Sequence, residues 1–173
     1  MNINIYKEKI ESWMENYFKT KDVGDSSMLE PIIYSLKVGG KRIRPILMIC
    51  TYNMYNNIID EILPFAASME MIHTYSLIRD DLPCMDDDDL RRGKPTNHKV
   101  YGEAMATLAG DSLLNEAMNV MFSQCLSGEL KKIRAAAIIS KSSGIDGMIK
   151  GQIIDIRSEG QKINEEILLE MHK

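Results

Sequence analysis

The sequence predicts an all-α fold, and three observations support the prediction. Apolar residues recur every three or four positions along nearly the whole chain, which is the spacing of one face of a helix. No stretch alternates apolar and polar residues as a half-buried strand does. With 173 residues, 45% of them hydrophobic, the chain is large enough to enclose one core. We therefore expect a helical bundle whose inward side chains build a site at one end.

Four helices are predicted in the first half of the chain, and each is bounded by residues that disfavour helix. A polar run from Lys21 ends the first helix, and Gly39 and Gly40 stop the second. Pro45 suits the first turn of the third helix, where no backbone N–H donor is needed. Pro83 disfavours helical backbone at the residue before it and so ends the fourth. The predicted ranges are 5–18, 28–38, 46–55 and 63–82.

Four more helices are predicted in the second half. Gly110, inside the first of them, implies close packing or a bend. Asn164 is suited to cap the last one. That last helix keeps an apolar stripe but has no glycine stop, so we expect the fold to continue beyond Lys173. The predicted ranges are 102–124, 129–142, 147–156 and 164–173.

The composition argues against several classes of protein. A net charge of −4 disfavours nucleic acid as a partner, because duplex binding needs a basic surface. Three cysteines, at positions 50, 84 and 125, lack metal-binding spacing and are odd in number, so neither a zinc site nor a disulfide framework is expected. No apolar run approaches the roughly 20 residues of a membrane span, and the N-terminus lacks the apolar core of a signal peptide. We therefore expect a soluble protein of the reducing cytoplasm.

The segment 80–98 is the most informative stretch, because it contains six aspartates followed by Arg91 and Arg92. Aspartate oxygens are hard ligands of the kind that Mg²⁺ prefers, and Mg²⁺ usually bridges a few carboxylates to phosphate oxygens. Guanidinium groups bind such oxygens in pairs. A solvated acidic loop with ordinary surface arginines, or a weak Ca²⁺ site, would also give this composition, although the calcium-loop pattern of EF-hands is absent. We interpret the segment as a site for Mg²⁺ and a phosphorylated substrate.

His73 lies seven residues before Asp80 in the fourth predicted helix, which is nearly two turns, so the two side chains share a face. A helical histidine taken alone is more often a packed or surface residue, but the adjoining acidic segment favours a functional one. On a straight helix Asp80 and Asp86 would diverge. They can share a metal site only if Pro83 bends the chain.

A second basic segment, GGKRIRP at positions 39–45, is also predicted to bind an anion. Its glycines let the backbone approach an anion closely, and Lys41, Arg42 and Arg44 supply positive charge. The segment is not a P-loop. An ordinary basic helix start is the alternative, but positive charge at a helix N-terminus opposes the helix dipole. A bound anion would relieve that conflict.

Three further polar residues stand in otherwise apolar helices. Asp111 follows a Leu-Ala-Gly run, and Gln152 and Asp155 are three residues apart on one face. Each of them either forms a hydrogen bond within the core or lines a pocket.

These segments, in this order, resemble the trans-isoprenyl diphosphate synthases, most closely the bacterial farnesyl diphosphate synthase type. The matching runs are GGKRIRP, MIHTYSLIRDDLPCMDDDDLRRGKPTNH, VYGEAMATLAGDSLLNEA and GMIKGQIIDI. The resemblance implies an isoprenoid synthase-type helical bundle that forms a homodimer in the full-length protein. It also implies Mg²⁺-dependent condensation of isopentenyl diphosphate with an allylic diphosphate, either dimethylallyl or geranyl diphosphate, to give farnesyl diphosphate.

The resemblance assigns the acidic segment to the allylic substrate. Asp80, Asp81 and Asp86 correspond to the first aspartate-rich motif of the family, whose Mg²⁺ ions hold the allylic diphosphate. Arg91 corresponds to a residue that contacts the same diphosphate. Arg79 is a departure, because relatives commonly have histidine there, and it adds positive charge beside the metal.

The resemblance assigns the basic segment to the second substrate, and Gln152 and Asp155 to a helix that lines the pocket beyond the metals. The residues implied to bind isopentenyl diphosphate are Lys41, Arg44, His73 and Arg92. The residues implied to be catalytic are Asp80, Asp86, Lys41 and Arg91. Tyr75 and Ser76, about a turn before Asp80, would form the tunnel floor that limits product length, and the bulk of the tyrosine favours a short product.

No second aspartate-rich motif follows Asp155. The resemblance therefore predicts that residues 1–173 form the N-terminal half of a synthase domain, inactive alone, with a complementary C-terminal half as a possible partner. A non-catalytic binding or regulatory half-subunit is one alternative, and a synthase of geranylgeranyl diphosphate or another chain length is a second. A terpene cyclase would also contain an aspartate-rich motif, but it has no isopentenyl diphosphate for the basic segment to bind.

Overall fold

The computed structural model describes residues 3–56 and 58–172, and it confirms the all-α architecture. The chain forms two compact units, one that runs to Gln124 and one that starts at Cys125. No helix in the described ranges is long and apolar enough to cross a membrane.

The first unit contains all eight residues that the resemblance assigned to diphosphate or metal in the segments 39–45 and 73–92. Its helices are α1 (Ile3–Lys19), a short 3-10 helix (Ser26–Leu29), α2 (Glu30–Lys37), α3 (Ile43–Asn53), α4 (Ile59–Asp80), α5 (Asn97–Tyr101) and α6 (Glu103–Cys125), the last residue of which lies in the second unit. Five of its helices confirm the predicted elements with shifts of boundary of up to four residues, and the 3-10 helix and α5 were not predicted.

Helix α4 is the centre of this unit, and both α1 and α3 pack against it. Its apolar side chains are buried on nearly every face, as Phe65, Ala67 and Met71 show. The helix begins four residues earlier than predicted, with Asp60 and Glu61 in its first turn. Carboxylates there interact favourably with the positive end of the helix dipole. The result is a long, firmly packed helix that places His73 and Asp80 about 10 Å apart along its axis, at 1.5 Å per residue.

The loop after α4 contains a small hairpin, which contradicts the prediction that the chain has no strands. Strand β1 (Leu90–Arg91) pairs with β2 (Lys94–Pro95) in antiparallel register. The two residues between them, Arg92 and Gly93, have φ angles of 55° and 76°. Positive φ at both central residues is typical of the tight turns that match strand twist. With only two residues in each strand, the hairpin is too short to produce a recognisable alternation of apolar and polar residues.

Helix α6 confirms the expectation of close packing at Gly110. A Cβ atom at this buried glycine would lie 3.4 Å from Cδ2 of Tyr75 on α4. A larger side chain would therefore push against the tyrosine ring.

The second unit consists of α7 (Leu130–Ser143), α8 (Met148–Ser158) and α9 (Glu165–Met171). The predicted cap is confirmed, because the side chain of Asn164 accepts a hydrogen bond of 2.9 Å from the backbone N–H of Ile167. Helices α8 and α9 pack closely enough that a Cβ atom at Gly151 would lie 2.8 Å from the carbonyl oxygen of Met171.

Candidate active site

The basic segment 39–45 forms the turn between α2 and α3, and its backbone explains its two glycines. Gly39 and Gly40 have φ angles of 92° and 149°, which side chains of L-residues rarely allow. Arg42, at the start of α3, is also left-handed, with φ 50° and ψ 35°. Strained backbone of this kind persists only where surrounding contacts hold it in place.

Those contacts come from the Arg42 side chain, which points into the protein. Its guanidinium donates to Glu70 Oε1 at 2.7 Å, to the Leu36 carbonyl at 2.6 Å and to Glu11 Oε1 at 3.1 Å. The prediction that Arg42 supplies charge to a bound anion is therefore wrong, because its charge is already neutralised by two carboxylates. Arg42 instead ties the turn to α1 and α4.

The remaining cations of the turn face an open cavity of about 390 Å³. Its wall includes Lys41 and Arg44 from the turn, His73 from α4 and Arg92 from the hairpin. In the described part of the chain, neither Lys41 nor Arg44 forms an ion pair, and both are exposed. All four residues that the resemblance assigned to isopentenyl diphosphate thus line one cavity.

The electrostatics of this cavity favour an anion. Partial burial, followed by the charges of Arg44 and Arg92, lowers the pKa of His73 to about 4, so its ring is neutral at pH 7. Arg44 Nη1 lies 3.5 Å from His73 Nε2. Burial and the neighbouring Arg42 also lower the pKa of Arg92. Among the described residues, Lys41 and Arg44 thus lie in this cavity without an ion pair, and a bound diphosphate would relieve the repulsion among its cations.

Arg91 and Arg92 are adjacent in sequence but contact different parts of the site. The guanidinium of Arg91 donates from Nε to Asp81 Oδ1 at 2.6 Å and lies 4.0 Å from Asp80. Arg92 instead lies against the basic turn, where a Cβ atom added to Gly40 would come within 2.5 Å of its Nη1. The left-handed turn that begins at Arg92 accounts for this divergence.

The acidic residues gather at the C-terminal end of α4, because the chain reverses direction there. The N–H of Asp86 donates to the carbonyl of Asp80 at 2.9 Å, so the predicted bend near Pro83 is confirmed. Asp87, with φ 52°, continues the tight loop. The backbones of Asp80 and Asp86 are therefore in contact, which a shared metal site would require.

Asp81 is placed differently from those two residues. Its side chain is only 5% exposed and is paired with Arg91. Burial raises the pKa of the Asp81 carboxyl, and the Arg91 guanidinium opposes the rise. Its carboxylate is thus already engaged in positioning Arg91.

The donor atoms at this end of α4 fit Mg²⁺ in chemical type and in number. Within the ranges 3–56 and 58–172, no three His, Cys, Asp or Glu side chains gather closely enough to hold a metal ion alone. Mg²⁺ does not need such a cage, since it commonly binds one or two carboxylates together with substrate phosphates and waters. Asp80 and Asp86 supply oxygen ligands of that kind.

Other predicted residues have distinct surroundings. Asp111 is exposed, so the alternative that it forms a hydrogen bond within the core is wrong; it forms an ion pair of 2.5 Å with Arg79 and gives the unusual arginine a local partner. Tyr75 lies against Gly110, one turn before Arg79. Gln152 and Asp155 belong to α8 of the second unit, where Gln152 is half-buried and Asp155 is exposed. Their assignment to a substrate pocket stays a prediction.

Two sets of supporting residues were not identified from sequence. The first is Glu70. A carboxylate in an apolar run, three residues before His73 on the same helix, was a signal that could have identified it. The other is the buried pair Thr96 and Asn97: Thr96 Oγ1 donates to the Asp88 carbonyl at 2.7 Å, and Asn97 Nδ2 donates to the Pro31 carbonyl at 2.7 Å. These bonds fasten the hairpin to the acidic loop and to α2.

Comparison with known proteins gives consistent relatives. The family model described as polyprenyl synthetase matches residues 25–173. Farnesyl diphosphate synthase of Bacillus subtilis is 44% identical over 170 residues, which is 96% of this chain and 57% of that protein. The heterodimeric geranylgeranyl pyrophosphate synthase large subunit 1 of Arabidopsis thaliana is 48% identical over 139 residues, 79% of this chain and 38% of that protein.

The solved structures agree in fold as well as in sequence. A geranyltransferase from Legionella pneumophila superposes with a TM-score of 0.89 at 36% identity, over 98% of this chain and 60% of that one. A geranyltranstransferase from Thermotoga maritima has a TM-score of 0.82 at 33% identity, over 98% of this chain and 61% of that one. The chain thus spans a little over half the length of the bacterial relatives it matches. On the strength of a family model that covers most of its residues, the chain belongs to the polyprenyl synthetase family.

Proposed function

We propose that this chain contributes the two diphosphate-binding sites of a prenyltransferase that joins isopentenyl diphosphate to an allylic diphosphate. The observation that carries the proposal is the pair of neighbouring sites along α4. A basic cavity surrounds His73, and an acidic cluster lies about 10 Å further along the helix at Asp80. Arg91 and Arg92 are consecutive in one hairpin; Arg91 contacts the acidic cluster and Arg92 lines the basic cavity.

The basic cavity is proposed to bind isopentenyl diphosphate. Lys41, Arg44 and Arg92 line it without a carboxylate ligand set for a metal, so direct ion pairs to the diphosphate oxygens are the natural mode of binding. His73 is neutral at pH 7 and can donate one ring N–H to an oxygen. Binding at this site should therefore not require Mg²⁺.

The acidic cluster is proposed to bind the allylic diphosphate through Mg²⁺ held by Asp80 and Asp86. When bound, Mg²⁺ would stabilise the negative charge that develops on the diphosphate leaving group. Arg91, held by Asp81, would add a guanidinium on the same side. Asp81 is thus proposed to orient Arg91, and a direct metal contact would require the ion pair with Arg91 to open.

The proposed reaction needs positioning and charge stabilisation from the protein but no protein nucleophile. The allylic C–O bond breaks and diphosphate leaves with the electron pair. The isopentenyl double bond attacks the resulting carbocation, and a C–C bond forms. A proton then leaves the isopentenyl-derived carbon, and the released diphosphate is the proposed acceptor. The side chains of this chain hold the two diphosphates so that the reacting carbons meet.

Farnesyl diphosphate is the proposed product, and geranylgeranyl diphosphate is the second candidate because relatives of both kinds match. The bulk of Tyr75 supports the shorter product, since its ring occupies space beside α6 one turn before the metal-binding end of α4.

A second aspartate-rich segment is needed in addition, so we propose that the 173-residue chain alone does not turn over. A second copy and a complementary half are the proposed partners, consistent with a relative named as one subunit of a heterodimer.

Calorimetric titration of the chain with each ligand tests the proposal. Isopentenyl diphosphate should bind with or without Mg²⁺, and geranyl diphosphate should bind tightly only with Mg²⁺. Lys41→Ala should weaken the first ligand selectively, and Asp86→Asn the second. Failure of isopentenyl diphosphate to bind would contradict the proposal, and farnesyl diphosphate formation by the chain alone would contradict the need for a second segment.

A further inference from the structure

A fully buried ion pair, Arg42 with Glu70, forms part of the lining of the basic cavity. Arg42 Nη1 donates to Glu70 Oε1 at 2.7 Å, and both side chains are 2% exposed. The pair joins the first residues of α3 to the middle of α4. A buried ion pair commonly contributes no more to stability than well-packed apolar side chains of similar volume. Its presence here therefore calls for an explanation other than stability.

The second oxygen of Glu70 points to that explanation. Glu70 Oε2 is buried and has no hydrogen-bond partner among the described residues. Glu70 and Arg92 both line the basic cavity, and both also line a smaller cavity of about 30 Å³ behind it. Glu70 and Arg92 are thus close enough that the negative charge of Glu70 raises the pKa of Arg92 against the lowering by burial and by Arg42. A buried carboxylate oxygen that lacks a hydrogen bond is a strong acceptor for a guanidinium or for one ordered water.

The carboxylate of Glu70 therefore acts on two motifs that are distant in sequence. One oxygen holds Arg42 and thereby the left-handed turn that displays Lys41 and Arg44. The negative charge of the same carboxylate also acts on Arg92 in the hairpin, whose pKa it raises. Without that charge, Arg92 would experience only the repulsion of Arg42 and Arg91.

We infer that Glu70 is a positioning residue of the isopentenyl diphosphate site, which sets the basic turn through Arg42 and directs Arg92 toward the same ligand. This inference rests on the proposed function of the cavity. Glu70 does not touch the substrate. Its carboxylate organises the cations that do, and the acidic cluster at the end of α4 should be unaffected by it.

The first test compares Glu70→Gln with Glu116→Gln in the same polypeptide. Glu116 of α6 accepts a hydrogen bond from the hydroxyl of Tyr17 on α1 and pairs with Lys21 at 2.5 Å, and it does not line the cavity, so it is a control for the loss of an inter-helix carboxylate. Glu70→Gln should weaken isopentenyl diphosphate binding 10-fold or more and leave Mg²⁺-dependent geranyl diphosphate binding within about 2-fold. Glu116→Gln should change neither affinity, whatever its effect on the melting temperature. Equal weakening of both ligands by Glu70→Gln, or of neither, would overturn the inference.

A double variant separates positioning from folding. Arg42→Met combined with Glu70→Leu replaces the ion pair by apolar side chains and should leave a folded chain with a melting temperature close to the original. It should still lose 10-fold or more of its affinity for isopentenyl diphosphate. Retention of normal affinity would show that the pair is only structural. If the unaltered chain bound neither isopentenyl diphosphate nor inorganic pyrophosphate, the proposed function would fail and this inference with it.

Discussion

Substitution of Gly40 by alanine is expected to weaken isopentenyl diphosphate binding far more than the same substitution at Gly39. The two glycines are adjacent in the basic turn and both have positive φ, 149° and 92° respectively. Either alanine therefore costs about 1–3 kcal/mol of backbone strain. They differ in what the new methyl group meets: at Gly40 it would lie 2.5 Å from Arg92 Nη1, and at Gly39 nothing lies within 4 Å.

The magnitude follows from how far Arg92 must retreat. An ordinary contact needs about 3.4 Å, so the guanidinium has to move by roughly 0.9 Å. The end of an arginine side chain moves easily, and the clash itself should add little to the loss of stability. A shift of that size nevertheless breaks a hydrogen bond to a ligand. A hydrogen bond to a charged group contributes about 1.5–3 kcal/mol, which corresponds to roughly 10- to 100-fold in Kd.

The assay is a calorimetric titration of both variants with isopentenyl diphosphate, together with urea denaturation. We expect similar losses in the free energy of unfolding and a Kd ratio of at least about 10 between Gly40→Ala and Gly39→Ala. Equal Kd values would refute the reasoning that Arg92 must lie against Gly40 to bind the ligand.

Three further predictions concern stability. Because the pKa of His73 is lowered to about 4 in the folded chain from 6.5, the unfolded chain takes up a proton first as the pH falls, so the free energy of unfolding should decrease between pH 6.5 and 4, and His73→Asn should reduce that decrease in urea titrations at pH 7 and 5. Asp81→Asn should lower the free energy of unfolding by about 1–3 kcal/mol because it leaves Arg91 partly unpaired. Asp89→Asn, at an exposed pair with Lys99, should lower it less than Asp81→Asn does, and equal losses would contradict the assigned burial. Asn164→Ala should destabilise α9 by about 1 kcal/mol, seen as faster hydrogen exchange near its start, and unchanged exchange would argue against the cap.

The helices were predictable because their signals are local. Apolar spacing along α4 and the prolines and glycines at helix ends each depend on a few neighbouring residues, and the cap at Asn164 is equally local. The predicted bend after Asp80 followed from Pro83 for the same reason. The hairpin was not predictable from spacing, because its strands have two residues each and its turn begins with arginine in place of the usual asparagine or glycine.

The site residues that sequence missed act over long distances in the chain. Arg42 looked like a third anion ligand, since residue type alone cannot show that a guanidinium points inward. Its inward orientation depends on Glu70, 28 positions later, and on Glu11, 31 positions earlier. Asn97 is likewise explained only by its contact with α2. Side chains that position other side chains leave little local pattern, so they emerge only from the packed structure.

The central claim is that one chain holds two diphosphates at separate, neighbouring sites. The most direct measurement is a titration of isopentenyl diphosphate into the chain already saturated with Mg²⁺ and an unreactive geranyl thiolodiphosphate. The account predicts one isopentenyl diphosphate bound per chain, with a Kd within a few-fold of that measured without the allylic analogue. Competition, in which the analogue abolishes isopentenyl diphosphate binding, would mean a single shared site and would contradict the account.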